Sequence, residues 1–117
     1  AHLIKTGKPL KINGDGRQKR DFIYVDDVAR AIVKAVGHEP KNTLETIDVC
    51  SGKETTLNEV LDTIRKVSRK NFEVMYNKGV KEKPWPTKGK NFTKAQKLLD
   101  WKPTPSLSAG LAKIMKA

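Results

Sequence analysis

Few side chains of this 117-residue chain can do chemistry, and they are unevenly placed. Cys50 is the single cysteine, and His2 and His38 are the two histidines; the three make no metal-ligand pattern. A Cys50–His38 nucleophile pair can be drawn. Against it, Cys50 closes a strand-like run where a small buried thiol is ordinary, and His38 sits just past a helical stretch. Gly14-Asp15-Gly16 is a turn with no helix behind it, which is not the form of a phosphate-cradling loop. Asp26, Asp27 and Glu59 stand where helices begin, and carboxylates there satisfy free backbone amides; that explains them better than acid–base catalysis. Independent catalysis has no visible machinery. What remains is cationic. Arg20 stands at the entry to a strand, and residues 78–97 hold seven lysines against Glu82, with Trp85 and Phe92 interleaved. A guanidinium fork suits phosphate oxygens, and lysine serves as a point charge. The lysine-rich stretch also admits a nucleic-acid reading, by backbone tracking and base stacking, without any nucleic-acid fold signature beside it. A lysine-rich surface from thermal or osmotic adaptation is the remaining explanation.

The overall charge agrees with an anionic ligand. Lys and Arg number 24 against 13 Asp and Glu, a formal +11. Residues 1–50 hold nine basic and seven acidic side chains, and residues 51–117 hold fifteen and six. Such a field draws nucleic acid, acidic membrane or a phosphorylated small molecule alike. Apolar residues make up 37% of the chain, enough for the modest core of one domain spanning residues 1–117. A single cysteine excludes an internal disulfide and points to a reducing compartment. No run approaches the roughly 18 apolar residues of a spanning helix, and the N-terminus lacks a signal-peptide core. The expectation is a soluble, cytoplasmic protein with no membrane partner. The opening at Ala1, in a segment without a start signal, suggests a piece of a longer chain.

The elements that must position these groups alternate between strand and helix. Residues 9–12 read as a short strand closed by Asn13-Gly14-Asp15-Gly16, and Asp21–Val25 as a second. Val28, Ala31, Ile32, Ala35 and Val36 then recur at helical spacing, with Asp27 as the expected N-cap and Gly37 as a left-handed terminus. Residues 46–50 read as a third strand. Thr56 and Glu59 form a capping box ahead of Leu57, Val60, Leu61, Ile64 and Val67. Phe72, Val74 and Tyr76 alternate as a strand, and residues 77–90 form a basic loop broken by Pro84 and Pro86. A second capping box at Thr93–Gln96 starts a short helix that ends before Trp101, which caps the core. Ser106 starts a last helix with Leu107, Leu111, Ile114 and Met115 inward. The fold class is α/β, a small mixed layered subdomain of short strands and about four helices. Its short sheets have exposed edges, a further sign of an absent partner domain.

The run from Gly14 to Ala29, with Arg20-Asp21-Phe22-Ile23-Tyr24-Val25-Asp26-Asp27 at its centre, resembles the extended short-chain dehydrogenase/reductases that act on nucleotide sugars: UDP-glucose 4-epimerases and sugar-nucleotide dehydratases. The likeness continues in order through Ile47–Gly52, Thr56–Glu59, Thr93–Ala95, Leu99–Pro103 and Ser106–Leu111, essentially the whole chain. It implies the C-terminal, substrate-binding portion of such an enzyme, packed on a Rossmann domain that this chain lacks. That domain would hold NAD and the Tyr-x-x-x-Lys pair, so no catalytic or cofactor-binding residue is assigned here. By the same resemblance, Arg20 matches an arginine on the substrate diphosphate, although it reads locally as a solvated partner of Asp21. Phe22 matches a position that is tyrosine in some members, or is simply a core aromatic. Counting back from Asn91 puts Lys81 at a second family arginine and Pro84 where the family has an aspartate near the ribose; Lys83 takes the arginine's place if the loop shifts. Lysines on a solvated loop look the same in sequence. Trp85 either stacks on a nucleobase or packs its loop on the body. The parent is expected to be a homodimeric, NAD-dependent epimerase of carbohydrate metabolism, with a 4,6-dehydratase or a nucleic-acid module as alternatives.

Overall fold

The computed structural model describes residues 2–41, 43–80 and 91–116. The elements run α1 (His2–Lys5), β1 (Leu10–Asn13), β2 (Lys19–Asp21), α2 (Val25–Val36), β3 (Glu54–Thr56), α3 (Leu57–Ser68), β4 (Val74–Asn77), α4 (Thr93–Leu99) and α5 (Leu107–Lys116). The mixed α/β class holds. Among the described residues there are five helices, the extra one being the single turn α1.

Two small sheets organise the strands. β1 and β4 pair in parallel, with Leu10 opposite Val74 and Asn13 opposite Asn77. β2 and β3 pair antiparallel, with Arg20 opposite Thr55. The expected strand at Asp21–Val25 is displaced: the ladder covers Lys19–Asp21, and residues 22–24 leave the sheet to enter α2. β3 explains the shift, since Thr56 to Glu54 offer partners only to Lys19 through Asp21. Residues 46–50 form no ladder, although their burial alternates as a strand's would, with Ile47, Val49 and Cys50 inward. The pattern of faces was right, but no neighbouring strand lies among the described residues. The strand expected from Phe72 begins at Val74, opposite Leu10, because β1 begins only there, after Pro9; Phe72 lies under the Arg65 guanidinium, 4.9 Å from its ring centre.

Helix ends follow the chemistry of their caps, not always as the sequence suggests. α3 starts on a true capping box: Thr56 Oγ1 accepts from the Glu59 amide at 3.1 Å, and Glu59 Oε2 accepts from the Thr56 amide at 2.7 Å. The box expected at Thr93 does not form; α4 begins after Phe92, and the Thr93 amide donates instead to Asn91 Oδ1 at 3.0 Å. α2 begins at Val25 after an uncapped Tyr24, so Asp27 lies inside the first turn instead of capping it. Gly37 ends α2 with φ −89°, outside the left-handed region.

The core is small. Ala31, Ala95, Leu99 and Trp101 are buried together, and Ile23, Ile47, Val49, Phe92 and Leu98 pack around them. Trp101 is 1% exposed, meets Phe92 edge-on with centroids 6.4 Å apart, and donates its indole N–H to the Asp27 carbonyl at 2.8 Å. α5 turns Leu107, Leu111 and Met115 inward, while Ile114, expected there too, is 46% exposed. α2 shows the opposite imbalance: Val25, Ile32, Val33 and Val36 are exposed, as is Leu44 beyond its end.

Candidate functional site

Parallel strands present their carboxyl ends as a natural edge for ligands. At that edge of β1 and β4, the chain makes a tight turn whose geometry is fixed from several sides. The Gly14 amide donates to the Asn77 carbonyl at 2.9 Å, and Gln18 Nε2 donates to the Asn13 carbonyl at 2.8 Å. Asp15 Oδ1 accepts from the Arg17 amide at 2.9 Å. Asn58, in the first turn of α3, clamps the far side: its Nδ2 donates to the Asp15 carbonyl at 3.2 Å and its amide to the Gly16 carbonyl at 3.0 Å. Tyr76 Oη on β4 donates to Asn58 Oδ1 at 3.0 Å, closing the ring. Nothing in the sequence spacing links Asn58 and Tyr76 to this turn; the parallel β1–β4 pairing brings Tyr76 there, and the antiparallel β2–β3 pairing brings Asn58.

The turn delivers the chain into β2 and so sets Arg20. Arg20 is half-buried opposite Thr55, and its Nη1 donates to the Lys19 carbonyl at 2.8 Å. Its neighbour Asp21 is spent elsewhere: Oδ1 accepts from the Ser51 amide and Oδ2 from the Gly52 amide, both at 2.8 Å. The acidic residue of the Arg-Asp pair is thus a loop anchor.

Phe22 lines a groove of about 690 Å³ between the β2–β3 ladder, α3 and the Pro103–Ser108 segment, and also a smaller apolar pocket beside Gly110. Arg20 borders neither of these two cavities among the described residues. Lys81, Lys83 and Trp85 lie outside the described residues. His38 Nε2 stands 3.0 Å from Glu45 Oε2, so its partner is Glu45; Cys50 is buried near the strand-like 46–50 run. A hydrogen bond with His38, with Lys94 beside it, holds the Glu45 carboxyl below its usual range. Among the described residues no three His, Cys, Asp or Glu side chains gather as a metal site.

Comparison with known proteins decides the family. Residues 1–50 match the model of the NAD dependent epimerase/dehydratase family. A UDP-glucuronate 4-epimerase from Thermodesulfobacterium geofontis is 34% identical over 92% of this chain and 32% of its own length. UDP-glucuronic acid 4-epimerase from Bacillus cereus, solved as a mutant with UDP-4-deoxy-4-fluoro-glucuronic acid and NAD, superposes with TM-score 0.82 at 32% identity, over 97% of this chain and 36% of that one. The chain belongs to the NAD-dependent epimerase/dehydratase family. It matches the C-terminal part of such proteins and spans about a third of the length of the curated relatives it matches. UDP-glucose 4-epimerase from Thermotoga maritima, solved with UDP-glucose, agrees as well, with TM-score 0.78 at 31% identity over 97% of this chain and 36% of that one.

The family implies NAD, and this member's glycine turn does not fit it. A Cβ at Gly16 would lie 2.1 Å from Asn58 Oδ1, so the space above that glycine is filled by a side chain. The turn runs into a strand and not into a helix N-terminus, so it offers no converging amides for a pyrophosphate. No helix among the described residues is long and apolar enough to cross a membrane.

Proposed function

We propose that the chain is the substrate-binding part of an NAD-dependent nucleotide-sugar epimerase of the UDP-glucose 4-epimerase type, and that it grips the nucleotide diphosphate. One observation carries the reading: nearly the whole chain superposes on epimerases solved with UDP-sugars. Arg20 holds diphosphate oxygens, its backbone pinned on one side by the 14–18 turn and on the other by Thr55. Phe22, Lys81, Lys83 and Trp85 complete the proposed contact set. Proton and hydride transfer belong to the rest of a family protein, which also holds NAD. Its work here is binding and orientation of the reacting sugar.

The exposed apolar face of α2, with Leu44 and the unladdered 46–50 run, supports a Rossmann domain packed on that side. On this proposal the complete protein is a cytoplasmic homodimer of carbohydrate metabolism.

The test is titration of the chain with UDP and UDP-glucose, followed by backbone amide shifts. Saturable shifts centred on residues 19–22 and 81–85 are expected, with about a tenfold weakening in Arg20→Ala, the low end for one charge-assisted contact. Absence of shifts at millimolar nucleotide sugar, or unchanged affinity in Arg20→Ala, overturns the assignment.

A further inference from the structure

α3 and α5 lie side by side, and a second feature of the molecule follows from their direction. Glu59 to Lys66 borders Ser106–Ser108, and Val67 to Lys70 borders Ala112, Met115 and Lys116. The two C-terminal ends therefore meet at one end of the pair. The sequence loads that end with cations: Arg65, Lys66, Arg69, Lys70, Lys113 and Lys116, with no acidic residue from Thr63 to Lys70 or from Leu107 to Lys116. Arg65 pairs with Asp62 at 2.9 Å. Lys66, Arg69, Lys70, Lys113 and Lys116 form no ion pair with a carboxylate among the described residues.

Helix dipoles account for a cation at each end, but not for what lies between them. Lys70 and Lys116 border a cleft of about 230 Å³ that is also lined by Val67, Ala112 and Met115. Ile114, next to Met115, is half-exposed. A cationic rim around apolar side chains complements a phospholipid surface, with phosphates outside and glycerol and acyl carbons beneath. A nucleic-acid strand fits less well, because it takes free aromatic faces. Phe72 and Tyr24, the rings that these two helices touch, already carry Arg65 at 4.9 Å and Lys113 at 5.0 Å.

We infer that the joined C-terminal ends of α3 and α5 dock on an anionic bilayer, through the headgroup phosphates of acidic lipids. The docking surface is independent of the nucleotide-sugar reading.

Co-sedimentation of the chain with phosphatidylcholine vesicles, with and without phosphatidylglycerol, tests it. Binding should require phosphatidylglycerol and weaken steeply as salt rises. Each lysine near an anionic leaflet contributes about fivefold, so Lys70→Gln with Lys116→Gln should lower partitioning about thirtyfold. Neutralising Lys8 and Lys41 instead should leave it unchanged. All four side chains are exposed, and an unaltered far-ultraviolet circular dichroism spectrum confirms the fold of each variant. Equal binding to pure phosphatidylcholine would make the attachment apolar and independent of the lysines, and overturn the proposal. So would no binding, indifference to the double substitution, or binding only to single-stranded RNA.

Discussion

Thr104 gives Asp27 both of its donors: its amide reaches Oδ2 at 3.0 Å, and its hydroxyl reaches Oδ1 at 2.8 Å. Arg30, one turn along α2, adds its guanidinium to the same carboxylate and also donates to Thr104 Oγ1 at 2.9 Å. Asp27 is 1% exposed, so burial alone would raise its pKa; the bonds from Arg30 and Thr104 outweigh that and hold the carboxyl below its ordinary value. The carbonyl of the same residue takes the Trp101 indole. One residue therefore fastens α2 to the 101–104 segment through both its side chain and its backbone.

Asp27→Asn should cost about 2 kcal/mol, because one carboxylate oxygen becomes an amide that faces donors. The measurement is the urea midpoint at neutral pH. A change smaller than the scatter between replicates would show that the clamp does not hold the segment.

Gly16→Ala should destabilise by about 2 kcal/mol, since the residue sits at φ +77° and its new Cβ meets Asn58. Removing the obstacle with Asn58→Ala should recover part of the loss in the double variant, leaving the backbone term. Thermal unfolding of the four members of that cycle reads the coupling directly. Additive effects would mean that the contact with Asn58 is not the cause.

Acid should weaken the fold through three carboxylates. Asp27, Glu45 and Glu59 are all held below ordinary values of 3.8, 4.5 and 4.5. For Glu59 the leading cause is the bond from the Thr56 amide. Lowered folded-state values mean that the stabilisation is complete above those ordinary values and is lost as pH falls through the folded ones. The urea midpoint should be flat from neutrality down to about pH 5 and decline below it. Glu45→Gln and Glu59→Gln should each flatten that decline, and an unchanged slope in both variants would contradict the assignment.

Arg20→Lys separates charge from shape at the proposed diphosphate contact. Lysine keeps the charge but loses the planar fork, so UDP affinity should fall less than in Arg20→Ala and still drop severalfold, about 1 kcal/mol. Lysine performing as well as arginine would reduce the contact to simple charge attraction.

Most elements are legible in the sequence because their signals are local. The Thr56–Glu59 box and the apolar stripe of α3 carry their own evidence within a few residues, and so does the Asn13–Gly16 turn. What stays hidden is what partners decide. Whether residues 46–50 join a ladder depends on a neighbour, and Asp27 looks like a cap until Thr104 is seen beside it. Asp21 looks like the partner of Arg20 until the Ser51 and Gly52 amides arrive from thirty positions away. At the candidate site, Arg20 and Phe22 stood out by resemblance. Asn58, Gln18 and Tyr76 did not, because polar residues that serve one turn from three elements have no shared spacing.

The pairing of β1 with β4 carries a consequence for how the molecule assembles. More than half of the chain lies between Leu10 and Val74, yet they face each other across a parallel ladder. Closing so long a loop costs entropy before the first ladder bond can repay it, so this pair should form late, after the helical segments have condensed. The ring of bonds around Gly16 and Asn58 then exists only in the finished state, so protection of the Gly14 and Asn58 amides from exchange would report completed folding.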